Sequence, residues 1–234
     1  MRREELSQKL FKNINLVEPY PNLVSGIDKM IDLTAFFPGG KGLWKEEESE
    51  VFPSILVLGQ DFSTEKEYVI MLQNKVNDLG GSTWRNLRKL FMEADVELLD
   101  CFFSNVFMGL RKTDSMTGKF PGFKDQEYVS RNIGFLLFQI DTIKPKLIIT
   151  LGKYSAELVS KLSDDLNSWR NNKALREPDI GLKKDVEING NILTCVALEH
   201  PSMRMSNVKR RRYKDFVGNE AEVRMLKDAL NWML

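Results

Sequence analysis

Four short, continuously apolar runs constrain the fold of this chain more than any other feature. Each run is rich in β-branched or aromatic residues, and the runs are residues 54–58, 98–104, 146–151 and 192–198. Apolar residues at every position, rather than at alternate positions, are typical of strands buried on both faces of a sheet. Helical patterns separate the runs at residues 83–92, 128–143 and 153–162. The sequence therefore predicts an α/β fold, a three-layer sandwich with a central, mostly parallel four-stranded sheet flanked by helices.

The length of 234 residues suits one α/β domain with its own core. Residues 4–14 place apolar side chains at helical spacing, and residues 36–44 are too rich in glycine and proline for regular structure. We therefore expect residues 1–50 to be an amino-terminal helix and loop packed on a domain of residues 51–234, with one structural domain overall. Two long polar stretches, residues 111–127 and 163–184, are predicted to be surface loops.

Composition excludes several classes of protein. A net charge of +1 excludes a histone-like polyelectrolyte, so any contact with nucleic acid needs a local basic patch. Two cysteines, Cys101 and Cys195, cannot build a disulfide framework or a four-thiolate iron–sulfur site. No apolar run approaches the roughly 18 residues of a membrane helix, so we expect a cytoplasmic protein with no membrane partner.

Polar residues follow each predicted strand. The first strand leads into Gly59-Gln60-Asp61, the second into Ser104-Asn105, the third into Gly152-Lys153 and the fourth into Glu199-His200-Pro201-Ser202. In open parallel sheets the ligand crevice lies beyond the carboxyl ends of the strands. An acid, an amide and the chain's one histidine are thus predicted at one edge of the sheet.

Each of these three residues also has a purely structural interpretation. Asp61 can cap a turn or helix, Asn105 can be a turn residue, and His200 can be a hydrogen-bonding group of the core. If all three roles were purely structural, three independent polar residues would have to fall at one edge of the sheet by chance. Their presence together therefore favours a functional site.

These motifs resemble, in order and in strand context, those of the uracil-DNA glycosylase superfamily. The similarity includes Gly59-Gln60-Asp61, Phe103-Ser104-Asn105, Leu151-Gly152 and His200-Pro201-Ser202. The stretch at residues 81–87 resembles the family's serine-bearing phosphate loop, and residues 105–111 resemble the segment after its asparagine. The resemblance spans roughly residues 50–234 and implies a monomeric DNA-repair enzyme that flips a damaged base out of DNA.

The resemblance assigns roles at the reaction site. Asp61 and His200 are the implied catalytic residues: the carboxylate stabilises the sugar cation and orients water, and the imidazole donates to a uracil oxygen as negative charge grows there. Asn105 is implied to pair with the base edge, because a side-chain amide carries both a donor and an acceptor. Gln60 and Phe62 are further candidates for binding the base. No metal and no organic cofactor is required.

DNA is the implied partner, and its expected contacts lie in loops around the site. The loop after His200 is implied to enter the minor groove, where apolar side chains can wedge a base step. The basic run at residues 209–212 could bind phosphates, although for that run taken alone a solvated helix end is the better explanation. The candidate DNA-binding residues are Ser82, Thr83, Gly152, Lys153, Ser202, Met203, Arg204 and Arg210.

One departure from the family pattern affects specificity. The best-known uracil-specific members continue the Gly-Gln-Asp motif with a proline and then a tyrosine whose ring excludes the methyl group of thymine, whereas this chain has Phe62 and Ser63. We therefore expect tolerance of 5-substituted uracils. The base-stacking aromatic is not identified by the sequence, with Phe62 and Tyr68 as candidates. Two other functions remain open: a catalytically silent DNA-binding member of the same fold, and a nucleoside- or nucleotide-processing enzyme.

Overall fold

The computed structural model describes residues 1–44, 51–74 and 79–233. Elements are numbered in chain order. The helices are α1 (Arg3–Lys12), α2 (Glu65–Asn74), α3 (Ser82–Glu93), α4 (Gln126–Ile143), α5 (Lys153–Val159), α6 (Lys173–Arg176), α7 (Arg204–Asn207) and α8 (Asn219–Met233). The strands are β1 (Val24–Ser25), β2 (Ile55–Gly59), β3 (Cys101–Asn105), β4 (Leu110–Arg111), β5 (Leu147–Leu151), β6 (Leu182–Ile188), β7 (Asn191–Leu198), β8 (Arg212–Tyr213) and β9 (Phe216–Val217).

Within these described ranges, five strands form the central sheet in the order β3-β2-β5-β7-β6. The first four are mutually parallel, and they are the four strands that the sequence predicts. The fifth strand, β6, pairs antiparallel with β7 at the edge of the sheet. It was missed because only Leu182, Val186 and Ile188 are buried, so the segment lacks a continuous apolar run.

Helices cover both faces of the sheet, which confirms the three-layer α/β architecture. Alternate residues of each strand face opposite cores: Leu56 and Leu58 belong to the core with α4 and α5, whereas Ile55 and Val57 belong to the core with α3 and α8. Every residue of β2, β3 and β5 is buried. This two-sided burial explains why these strands are continuously apolar in the sequence.

The predicted helices are present, with ends shifted by a few residues. The helix expected at residues 4–14 ends at Lys12 and continues as the 3₁₀ turn Ile14–Val17. Helices α2 and α8 were not predicted. The polar stretch at residues 163–184 is more ordered than a surface loop, because it contains the 3₁₀ segment Asp164–Asn172, α6 and the beginning of β6. None of the described helices is long and apolar enough to cross a lipid bilayer.

The amino-terminal segment packs on the edge strand β3. Phe37 N–H donates to the carbonyl oxygen of Phe103 at 2.9 Å, and Phe103 N–H donates to the carbonyl oxygen of Gly42 at 2.7 Å. Leu6 and Leu10 of α1 are fully buried in the core that also contains α4. These contacts bring residues 36–42 beside the carboxyl end of β3; residues 45–50, the end of the expected amino-terminal unit, lie outside the described residues.

Candidate active site

The carboxyl ends of the four parallel strands lie side by side. Gly59 at the end of β2 is in register with Asn105 at the end of β3, and Leu151 of β5 is in register with Leu198 of β7. Asp61 follows β2 by two residues, and His200 follows β7 by two residues. The strand order therefore brings Asp61, Asn105 and His200 to one edge of the sheet.

Asn105 is held in a buried position. Its side chain is only 2% exposed, and Nδ2 donates to the carbonyl oxygen of Phe37 at 2.9 Å. A Cβ atom at Gly59 would lie 2.5 Å from Oδ1 of Asn105, which is closer than nonbonded atoms approach. Gly59 is thus required for the amide to lie across the end of β2. The bond to Phe37 uses one of the two N–H groups of the amide.

The hydrogen bonds of His200 define its tautomer. The backbone N–H of Ser202 donates to Nδ1 at 3.3 Å, and Nδ1 lies 2.8 Å from Oγ of Ser202. Because Nδ1 accepts a hydrogen bond, the proton of the neutral ring lies on Nε2. Burial lowers the pKa of His200 below its ordinary value. At neutral pH the residue is therefore a neutral imidazole that offers one donor, Nε2–H.

Three contacts fix the turn that carries His200. Gly152 has φ of +86°, and a Cβ there would lie 3.1 Å from Cβ of His200, so the two residues are closely packed. Asn86 of α3 donates to the carbonyl oxygen of Pro201 at 2.8 Å. Glu222 of α8 accepts from the backbone N–H of Glu199 at 2.7 Å. The turn between β5 and α5, together with helices α3 and α8, thus holds the turn of His200 at the edge of the sheet.

Asp61 forms a buried ion pair with Arg111. Arg111 Nε donates to Oδ2 at 2.7 Å and Nη2 donates to Oδ1 at 2.8 Å, with side-chain exposures of 3% for the arginine and 6% for the aspartate. Burial is the strongest influence on the pKa of Asp61 and raises it, while Arg111 and the side chain of Gln60 act to lower it. Asp61 is thus a buried acid paired with a cation rather than an exposed turn cap.

These side chains place an acid, a neutral imidazole donor and an amide at one edge of an α/β sheet. A family model of the uracil DNA glycosylase superfamily matches residues 54–222, well over half of the chain. The chain belongs to the uracil DNA glycosylase superfamily. Membership indicates a glycosylase-type hydrolase with DNA as its substrate. A comparison with curated proteins gives no match.

Six of the eight DNA-binding residues expected from the superfamily pattern are exposed or partly exposed, and their contact with DNA stays a prediction. Lys153, at the start of α5, is exposed, and Met203 is 50% exposed. Ser82 is the first residue of α3, the helix whose Asn86 contacts Pro201. The remaining residues at or near the surface are Thr83, Ser202 and Arg210. Gly152 is buried and packs against His200, and its expected contact with DNA stays a prediction.

Arg204 is a correction to the expected DNA surface. Its side chain is 7% exposed and forms an ion pair with Glu222, and Nη2 donates to Oδ1 of Asn219 at 2.7 Å. Arg211, in the middle of the basic run, is also buried: it contacts Glu222 at 3.2 Å and donates to the carbonyl oxygen of Ala197 at 2.8 Å. These two arginines hold the loop on α8 instead of presenting charge to solvent, which a linear pattern of basic residues does not reveal.

Gln60 and Phe62, the other expected base-binding residues, contact neighbouring loops. Gln60 Nε2 donates to the carbonyl oxygen of Gly118 at 3.0 Å, and its Oε1 accepts from the N–H of Phe120 at 3.1 Å. The Phe62 ring packs edge-on against Tyr68 and lies against Gly39. Phe62 and Tyr68, the two candidates for stacking on the base, therefore pack against each other.

A common cavity for the three central side chains remains a prediction. Among the described residues, a groove of about 720 Å³ runs along α3 and includes Trp44 and Arg88. A second cavity of about 320 Å³ lies beside α8. Neither is lined by Asp61, Asn105 or His200. The segment with Phe37 and the loop with Gly118 lie over this edge, as their hydrogen bonds to Asn105 and Gln60 show.

The sequence did not identify three residues that shape the site. Phe37 supplies a carbonyl oxygen to Asn105, Arg111 pairs with Asp61, and Glu222 supports the turn before His200. Arg111 carried a recognisable signal, because a cation after the apolar stretch at residues 106–110 needs an acidic partner once buried. Phe37 acts through its backbone, so its side chain gave no indication of this role.

Proposed function

We propose that this protein is a DNA-repair glycosylase that hydrolyses the N-glycosidic bond of uracil, or of a 5-substituted uracil, flipped out of DNA. The observation that carries the proposal is the convergence of Asp61, Asn105 and His200 at the carboxyl edge of the sheet in a chain of this superfamily. Cleavage leaves positive charge on the sugar and negative charge on the base, and the site offers a group for each.

Each residue has a distinct role in the proposed reaction. The carboxylate of Asp61 faces the developing sugar cation and orients the attacking water. The amide of Asn105 reads the base edge with its remaining donor and its acceptor. The neutral ring of His200 donates from Nε2 to a base oxygen, which becomes a stronger acceptor as the bond breaks.

Tolerance of 5-substituted uracils follows from the residues after Asp61. Ser63, which stands where a tyrosine excludes thymine in strictly uracil-specific members, is 8% exposed and has no ring. Phe62 is engaged with Gly39 and Tyr68. We expect 5-hydroxymethyluracil to be released as well as uracil.

A base-release screen tests this function. Single- and double-stranded oligonucleotides carry uracil, 5-hydroxymethyluracil or thymine, and release is followed by cleavage of the abasic product. Asp61→Asn should reduce release by two orders of magnitude or more while DNA binding is retained. Asp185→Asn, an exposed aspartate of the edge strand β6, is the matched control and should leave release unchanged. Release of uracil alone contradicts the expected tolerance.

One observation favours a second candidate, a catalytically silent DNA-binding member of the fold. Both oxygens of Asp61 accept from Arg111, and Asn105 is almost fully buried, so a base reaches these groups only after the covering loops move. In that case the unmutated protein binds DNA with salt-dependent affinity but releases no base from any oligonucleotide.

A further inference from the structure

The backbone of Arg111 is anchored on both sides. It lies in β4, which pairs with β1 through Val24, and its N–H donates to the carbonyl oxygen of Ser63 at 3.0 Å. A β-bridge also joins Arg111 to Thr64. The backbone of Arg111 is thus attached to the amino-terminal segment and to the turn that carries Asp61. These backbone contacts fix the position of Arg111 relative to that turn without any contribution from its side chain.

The guanidinium group binds Asp61 and the following loop together. Besides the two bonds to the carboxylate, Nη1 donates to the carbonyl oxygen of Thr117 at 3.0 Å and Nη2 donates to that of Gly118 at 3.0 Å. The group also lies over the ring of Phe120, 5.6 Å from its centre. A planar guanidinium with fixed donors can make this set of contacts, whereas an ammonium cannot.

Stability alone is a poor explanation for this pair. Buried ion pairs gain little over apolar residues of similar size, because desolvation offsets the attraction between the charges. Here the buried carboxylate is the first acid after β2, at the edge that also carries Asn105 and His200. The pair therefore fixes a charge at the one place in the molecule where the proposed reaction needs it.

We infer that Arg111 is the positioning residue for Asp61, holding both carboxylate oxygens so that the segment from residue 111 to residue 120 sets the orientation of the reacting acid. The inference rests on the proposed function, since it assigns Arg111 a role through Asp61. In this role Arg111 acts on the reaction through Asp61.

Removing the guanidinium has a consequence for pH dependence. Within residues 1–44, 51–74 and 79–233, the groups that interact with the Asp61 carboxylate are Arg111 and Gln60, which lower its pKa, and the buried Tyr128 on α4. Burial already raises the pKa of Asp61. Without Arg111 that pKa rises further, and the ionised acid is lost at a higher pH. The acid limb of the base-release profile then moves toward neutral pH.

Two substitutions separate the charge from the geometry. Arg111→Met removes the positive charge and both hydrogen bonds to the carboxylate, so kcat falls and the acid limb of the kcat/KM profile moves to higher pH. Arg111→Lys keeps the charge but binds through one nitrogen, so the acid limb stays near that of the unmutated protein while kcat falls by about tenfold or more, since small misplacements of a reacting group are costly. Arg131→Met is the control, because Arg131 donates to the carbonyl oxygens of Val17 and Pro19 and should leave both readouts unchanged.

A second measurement does not depend on activity. Carbon-13 NMR of aspartate-labelled protein, with the Asp61 signal assigned from Asp61→Asn, follows the carboxyl group directly. We expect its titration to move to higher pH in Arg111→Met and to stay in place in Arg111→Lys. The inference is overturned if a folded Arg111→Met variant leaves the titration unchanged, or if Arg111→Lys keeps full kcat. If no substrate is released, the proposed function fails, and the titration still decides whether Arg111 controls Asp61.

Discussion

Glu222 is expected to be one of the most important single side chains for stability. It is completely buried on α8 and pairs with Arg204 and Arg211, which are 7% and 2% exposed. It also accepts from the N–H of Glu199 at 2.7 Å. Burial lowers the pKa of each arginine to about 10, so both stay charged at neutral pH. One carboxylate thus contacts both buried cations, and Glu199 supplies a second negative charge that acts on each of them.

Glu222→Gln keeps the shape and removes the charge. Removing one partner of a buried pair costs about 3–5 kcal/mol, because the remaining charge is left uncompensated. For a chain of this size about 1 kcal/mol corresponds to roughly 2–4 °C in the midpoint of thermal unfolding. The variant should therefore unfold about 6–20 °C below the unmutated protein.

Urea unfolding followed by circular dichroism measures this loss. Glu220→Gln, an exposed position on the same helix, is the matched control and should change the free energy of unfolding by less than about 0.5 kcal/mol. In a double-mutant cycle, Arg204→Met should cost much less in the Glu222→Gln background than alone. A loss below about 1 kcal/mol in Glu222→Gln would refute the assigned role of the buried charge.

Three further predictions concern the site and its surface. His200 is the chain's one histidine, so its NMR titration is unambiguous, and its pKa should lie below 6.5. Because the unfolded chain then binds the proton more readily, the free energy of unfolding should decrease as the pH falls below 6.5. A titration at or above 6.5 contradicts burial of the neutral ring. Gly152→Ala should lower the free energy of unfolding in urea by about 1–2 kcal/mol, because alanine is strained at a φ of +86°, and it should also slow base release through His200. As a control, Gly134→Ala in α4, where open space surrounds the glycine, should leave the free energy of unfolding unchanged or increase it. Arg210→Ala should reduce the salt dependence of DNA binding by about one unit of slope without loss of stability, and an unchanged slope would exclude Arg210 from the phosphate contacts.

The sequence predicted the parts of the fold that depend on local pattern. Continuous apolar runs identified β2, β3, β5 and β7, since a strand buried on both faces has no polar alternation. The same reasoning missed β6, whose exposed face carries charged residues at the sheet edge. A strand of that kind resembles a polar loop until its neighbour is known.

The candidate site shows a similar division. Asp61, Asn105 and His200 could be placed at one edge because each follows a predicted parallel strand. The burial of Arg204 could not be predicted, because its partner Glu222 lies on a helix 18 residues further along the chain. A basic residue is exposed or buried according to whether an acid from another element reaches it.

By itself, the sequence determined the α/β class, the four parallel strands and the three polar residues that follow them, since these properties depend on neighbours along the chain. Only the tertiary structure decided that Arg111 forms an ion pair with Asp61 and that the carbonyl oxygen of Phe37 accepts a hydrogen bond from Asn105. It also decided that two arginines of the expected DNA surface are buried and paired with Glu222. The physical reason is that burying a charge or an amide requires a partner at hydrogen-bond distance, and folding alone brings partners from distant parts of the chain together.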